Sequence, residues 1–245
     1  MGLRATLLVL SLLCPVMAAA QPGLEIVGPI RPPYVSEIDG KPAGPALELA
    51  RRIAAHAGLT PNIRILPFQR AVLQLDLGGT LYPALLRTPQ REARYAWIGM
   101  VHADRAVFFT RTGMAAIDTQ EQARQAAQIG VLRGSELLPM LQSYGLDNIH
   151  IASSEAENAR LLQAGRITAW FALNAVGLAT AQELGMAGTE FRTGASFAQL
   201  SFWVVASPGL PPALIDALRD GYARLRQNGD YDRIMLPLTL LENRS

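Results

Sequence analysis

Cysteine is almost missing from this chain of 245 residues, and the one thiol, Cys14, falls inside an apolar N-terminal run. Once that run is set aside, no disulfide and no cysteine-ligated metal site can form, a composition that suits an oxidising compartment. Histidine is nearly as scarce: His56, His102 and His150 stand apart from one another without metal-ligand spacing. They read as surface or core residues, so no metal and no cofactor is expected. Lys41 is the sole lysine, and the formal net charge is only +2 with no basic run. A nucleic-acid partner therefore has little support. The chain also lacks a G-x-S-x-G elbow, an HExxH helix, a Walker loop and a dinucleotide fingerprint.

What is present begins with an export signature. Arg4 supplies a positive start, Leu7 to Met17 is an apolar run broken at Pro15, and Ala18, Ala19 and Ala20 offer small residues to a peptidase. The run is too short to anchor in a bilayer. Cleavage after Ala20 is expected, with residues 1–20 as signal peptide and a periplasmic mature chain. That chain contains no second long hydrophobic stretch, and half of the whole sequence is apolar, enough to build a sizeable core.

Apolar runs alternate with helical patterns, which predicts α/β layering around mostly parallel sheets. Leu24 to Val27 is a short strand. Pro45 opens a helix with Ala46, Leu49, Ile53 and Ala57 on one face, and Gly58 ends it. Asn62 to Leu66 is a second strand, and Pro67 starts a helix that turns Val72 and Leu75 inward. A second region of the same style opens at Thr119-Gln120-Glu121-Gln122, a capping box before a strand at 128–132. Ser154 to Glu157 repeats the device ahead of a helix ending at Gly165. The strand Thr168 to Ala172 and another helix to Gly185 follow. The tail returns through a strand, Leu200 to Ala206, to a helix from Ala213 to about Asn228 striped by Leu214, Leu218, Tyr222 and Leu225.

Arg31-Pro32-Pro33-Tyr34, Asp39-Gly40-Lys41, Leu47-Glu48-Leu49-Ala50, Pro67-Phe68-Gln69-Arg70 and Arg87-Thr88-Pro89-Gln90-Arg91 follow one another in the first half. Ile129-Gly130-Val131, Gly134-Ser135, Ala164-Gly165-Arg166 and Asn228-Gly229-Asp230-Tyr231 continue the series. In this order and spacing they resemble solute-binding family 3 of the ATP-binding-cassette (ABC) uptake systems, which includes polar amino-acid-binding proteins. The resemblance covers essentially the whole mature chain. It implies a periplasmic-binding-protein-like type II fold: two α/β lobes joined by two crossing strands, with a ligand cleft between them. Residues 21–105 and 192–245 form the first lobe and 106–191 the second, with crossings expected near 103–108 and 190–194. It also implies a monomer that closes about a hinge on a small solute and presents it to an inner-membrane ABC permease, or to a sensor kinase.

By the same resemblance Arg91 holds the place where relatives grip a ligand carboxylate with a two-pronged salt bridge; on composition alone it is equally a solvated arginine. The planar guanidinium fork suits that task and a lysine does not. Arg31 either faces the cleft or bridges to the other lobe, with Tyr34 just beyond it. Phe68 and Tyr82 read as apolar cleft wall or as core. Ser135 either donates to a ligand oxygen at the start of a helix or only caps it. Relatives that bind α-amino acids hold the ammonium with an aspartate where this chain has Leu173, and Asn174 is the nearest polar substitute. The expected ligand is therefore a small polar or carboxylate-bearing solute, with acids lacking a free α-ammonium group among the candidates.

An enzyme on the same scaffold is the rival, because the resemblance extends to periplasmic dehydratases of cyclic carboxylic acids. Glu136, His102 and Glu155 are the residues that would carry such acid–base work, and they form no pair in sequence. Binding without catalysis is the expectation.

Overall fold

The computed structural model describes residues 23–186 and 190–242. The expected signal peptide and Cys14 lie outside the described residues. The chain opens with β1 (Glu25–Gly28), the paired strands β2 (Ser36–Ile38) and β3 (Lys41–Ala43), and α1 (Pro45–His56). It continues through β4 (Asn62–Ile65), α2 (Phe68–Leu77), β5 (Thr80–Leu86) and the short α3 (Pro89–Glu92) into the long β6 (Ala96–Arg111). Proline stands at the first turn of α1, where its fixed φ costs nothing, and Ala46, Leu49 and Ile53 are fully buried on one face. Because β1 pairs parallel with both β4 and β5, each connection must cross over the sheet. Helices α1 and α2 are those crossovers. β5 is buried at every position, as a strand covered on both faces should be.

The second lobe repeats this plan with α4 (Gln120–Gln125), β7 (Ile129–Leu132), α5 (Leu137–Ser143), β8 (Ile149–Ala152), α6 (Glu155–Gln163), β9 (Ala169–Leu173), α7 (Asn174–Glu183) and β10 (Phe191–Thr193). The capping box at Thr119 forms as its sequence predicts. At α6, Ser154 accepts the Glu157 amide, but the Glu157 carboxylate turns to Ser153. β11 (Ala198–Ala206), α8 (Pro212–Gln227) and α9 (Asp230–Glu242) bring the chain back onto the first lobe.

The strands join in one nine-stranded sheet of order β4-β1-β5-β11-β6-β9-β7-β8, with β10 on β6. β6 is the spine. Its N-terminal part pairs with β11 from Ala96↔Ala206 onward, and its C-terminal part pairs with β9 and β10 in the second lobe. Each lobe packs apolar clusters on both faces of its share of the sheet. In the first lobe Ile26, Leu49, Ile53 and Leu218 lie on one face, and Val27, Leu75 and Tyr82 on the other. Phe108 and Phe171 centre one face of the second lobe, and Phe109 and Trp170 the other. β6 runs from its pairing with β11 into its pairing with β9 and so makes the outgoing crossing. The return differs: residues 191–193 pair with Arg111 to Phe109 inside the second lobe, and β11 makes the crossing from Ala198 onward. Phe191 packs onto the second lobe's Trp170 cluster, which keeps that segment there.

Candidate functional site

A cavity of about 690 Å³ opens between the lobes. Its walls are the segments that follow the carboxyl ends of parallel strands: Pro29 to Pro32 after β1, Phe68 after β4, Glu136 after β7, Glu155 after β8, and Leu173 at the end of β9. This is where open α/β sheets place their ligands, since diverging loops leave a crevice there. Most of the lining is apolar, with a few charged side chains set into it.

From the first lobe, Arg31 lines the cavity. Its guanidinium lies 5.6 Å from the Phe68 ring centre and 5.9 Å from that of Phe202. No carboxylate pairs with it among the described residues, so aromatic faces are its company. Phe68 opens α2 and lines the cavity beneath two cations, since the Arg91 guanidinium is also 5.9 Å from its ring. Arg91, on α3, reaches toward the second lobe. Its Nη1 donates to the Leu86 carbonyl and to Glu136 Oε1, both at 3.1 Å. Leu86, Phe68 and Glu136 all line the cavity, so Arg91 stands at its border with its charge already engaged. The two neighbouring arginines serve locally: Arg87 forks onto Glu92, and Arg94 pairs with Asp76 rather than with Glu92.

On the second lobe, Ser135 lines the cavity, but its hydroxyl and its amide both donate to the Leu132 carbonyl. Helix α5 starts only at Leu137, so Ser135 closes a turn and retains only acceptor capacity toward the cavity. Glu155 is the first residue of α6 and lines the cavity as well. Its Oε2 accepts the Trp170 indole N–H at 2.8 Å and a longer contact from the Asn158 amide at 3.4 Å. Burial pushes its carboxyl above the ordinary value, partly offset by those two donors and by the positive charge of Arg31.

Three residues expected at the cleft lie elsewhere. Tyr34 is fully buried, its ring 4.7 Å from that of Phe202 and its hydroxyl donating to Asp104 Oδ2 at 2.8 Å. Tyr82 sits in the first-lobe core against α2. Both are amphipathic rings that the core absorbed. Asn174 begins α7, fully buried behind the cavity residues Leu173 and Val176, and neither polar atom of its side chain has a partner.

The crossing strand β6 carries a polar knot of its own. Asp104, fully buried, accepts Tyr34 from the first lobe and the Ala175 amide at the head of α7 in the second, at 3.2 and 3.3 Å, together with the Arg105 amide. Burial raises its carboxyl above the ordinary range despite these donors. His102 contacts Glu242 of α9 at 3.3 Å. Ligand atoms of His102, Asp104 and Glu242 lie within 4.8 Å of one another. The Asp104 oxygens are already filled by N–H and O–H donors, so this group is a structural knot at the crossing and does not suit a metal ion.

Two α/β lobes, a pair of strands crossing between them and a cavity at the strand ends define a clamp for a small molecule. The chain belongs to the bacterial extracellular solute-binding proteins, family 3, whose model matches residues 26–236. No curated protein sequence matches it. Among solved structures it is similar to a histidine kinase sensor domain that resembles periplasmic binding proteins, at 21% identity and a TM-score of 0.76 over 89% of this chain and 96% of that one. It is also similar to AbpA of Streptococcus pneumoniae, an amino acid ABC transporter substrate-binding protein bound to L-arginine, at 16% identity and a TM-score of 0.72 over 90% and 96% of the two chains. A third is an ancestral amino acid-binding protein, a precursor of cyclohexadienyl dehydratase, at 16% identity and a TM-score of 0.73 over 88% and 95%. At these identities the likeness establishes the two-lobed fold.

Sequence reasoning named Arg31, Phe68, Arg91 and Ser135 near the cavity, and the structure brings them to it or to its border. It weighed Glu136 and Glu155 only as acid–base candidates. Their position directly after strand ends is the signal that marks them as cavity residues.

Proposed function

We propose that this protein is a periplasmic solute-binding protein, exported by a cleaved N-terminal segment, that captures a small carboxylate-bearing, amino-acid-like solute by hinge closure. As a monomer it hands the solute to an inner-membrane ABC permease. The observation that carries this reading is the interlobe cavity with Arg31 unpaired in its wall: a partly desolvated guanidinium is stabilised by an incoming anion. Family membership supports solute capture, and among the described residues no helix is long and apolar enough to cross a membrane. The fold likeness to a kinase sensor domain favours sensing as the second reading, since permease and kinase would read the same ligand-bound shape.

Turnover has less support. His102 does not line the cavity and Glu136 is held by Arg91, which leaves Glu155, in the cavity wall with its carboxyl raised by burial and anchored to Trp170, as the one candidate acid without either of the others as its partner. Mass spectrometry of the solute released from natively purified protein, followed by titration calorimetry, tests the proposal. A small acid recovered unchanged, bound at least about tenfold more weakly by Arg31→Gln, is expected. Absence of any acid ligand, or indifference to Arg31→Gln, overturns it, and recovery of a converted product favours the enzyme.

A further inference from the structure

Asp104 is tied to a cavity wall in each lobe. Through Tyr34 it holds the 31–35 turn, closed by hydrogen bonds between Arg31 and Val35, which carries Arg31 to the cavity. Through the Ala175 amide it holds the head of α7, whose Val176 and Thr180 line the opposite wall. His102 stands two residues back on the same strand, with Glu242 of α9 at 3.3 Å and the Tyr34 ring centre 6.2 Å from its own. Other charge is kept at a distance. β11 sets Leu200 opposite Asp104 and Phe202 opposite His102, the head of α7 brings only Asn174 and Ala175, and the Arg105 side chain is exposed. Arg31 acts on Tyr34 from beyond the Phe202 ring, 5.9 Å from its centre.

Two carboxylates and one imidazole therefore share this crossing. A charged ring stands within 4.8 Å of both acids and offsets one of them. With the ring neutral, Asp104 and Glu242 face each other largely out of water, an arrangement that like charges oppose. Asp104 is fully buried and held by three donors, so it stays. Glu242 ends α9 and is partly exposed, so it can leave. A groove of about 560 Å³ lies between the last turns of α9, at Pro237, Leu240 and Leu241, and Ala179 and Gln182 of α7, which gives that end room to move.

We infer that His102, Asp104 and Glu242 form a proton-operated latch at the crossing strand: the charged imidazole fastens the end of α9 to β6 and keeps the lobes at their present spacing, and loss of its proton frees α9 and lets the lobes part. Burial opposes the charged ring, but Glu242 and Asp104 outweigh it and raise its pKa, so release falls on the alkaline side of the ordinary histidine range. A solute gripped between the walls is then let go more readily as pH rises. That consequence rests on the cavity being the solute site; the latch itself does not.

Energy transfer between dyes on the two lobes tests it without any solute. In a Cys14→Ser background, which removes the chain's only thiol, Arg51→Cys and Gln142→Cys carry the dyes at exposed positions on α1 and α5. Expected is a single stepwise change in transfer as the buffer is taken from about pH 5.5 to about 8.5. His102→Gln leaves the two acids facing each other without a cation and should show the alkaline distance at every pH. Glu242→Gln removes one of the two acids and should keep the acid-side distance at every pH. A merely structural contact would loosen in the same direction in both variants, so opposite fixed distances are the signature of the latch. A wild type without the step, a step that survives in His102→Gln, or two variants that shift alike overturns the inference. If acids fail to bind in calorimetry while the step and the opposed variants remain, the reading of the cavity falls and the latch stands.

Discussion

Arg91 and Glu136 join the two lobes directly: the guanidinium of one donates to the carboxylate of the other at 3.1 Å across the mouth of the cavity, with both side chains less than a third exposed. Glu136 thus fills, from within the protein, the place at Arg91 that a ligand carboxylate is expected to take. Removing its charge should therefore do two things. Glu136→Gln should loosen the hold of one lobe on the other without solute, seen as a larger radius of gyration in small-angle scattering. It should also free Arg91 for external acids, raising their affinity by about tenfold in calorimetry. Unchanged scattering together with unchanged affinity would show that the pair does not hold the lobes.

Tyr34 and Asp104 make a second link, at the crossing strand. The Tyr34→Phe variant keeps the ring on Phe202 but takes one donor from a buried carboxylate that also holds the head of α7. Leaving a buried charged acceptor short of a donor costs on the order of 1–3 kcal/mol, so the urea midpoint should fall with little change in slope. Solute affinity should change less than in Arg31→Gln, because Tyr34 does not line the cavity.

These two links also show what the sequence could and could not convey. Local signals were legible: proline at the start of α1, the Thr119 capping box and the alternation of strands with crossover helices each depend on neighbours within a few residues. The cavity loops followed from them, because strand ends are where such sheets open. What could not be read was which polar side chains would meet. Arg91 and Glu136 are 45 residues apart, and Tyr34 and Asp104 are 70 apart. Tyr82 carries both an apolar ring and a polar tip, so core and cleft were equally open to it until the tertiary fold chose, and the same amphipathic ring took Tyr34, expected at the cleft beside Arg31, into the core. Ser135 looked like a helix cap, yet the helix began two residues later and left the hydroxyl to a turn.

Gly194 lies just before the return crossing, where its amide donates to the Phe108 carbonyl. A methyl group added there would come within 2.1 Å of the Ile117 carbonyl oxygen, a backbone atom that cannot swing aside. Gly194→Ala should therefore destabilise by about 1–3 kcal/mol, the usual scale of overpacking. Thermal unfolding checks it. A melting temperature equal to wild type would mean that the 117 and 194 segments separate freely.

His102 gives the fold a pH dependence whose sign follows from its neighbours. Burial works against the imidazolium, but the Glu242 contact and the nearby Asp104 outweigh it and hold the ring's pKa above its ordinary value. A histidine raised on folding binds its proton more tightly in the native state. Its contribution is complete below the unfolded pKa of about 6.5 and fades as pH rises through the higher native value. His102→Gln should accordingly cost most stability in mildly acid buffer, with the gap from wild type narrowing as the buffer becomes alkaline. Urea titrations of both proteins from pH 5.5 upward measure the gap directly. A gap that widened with pH would mean that the ring is neutral in the native protein and that Glu242 holds it by a hydrogen bond alone.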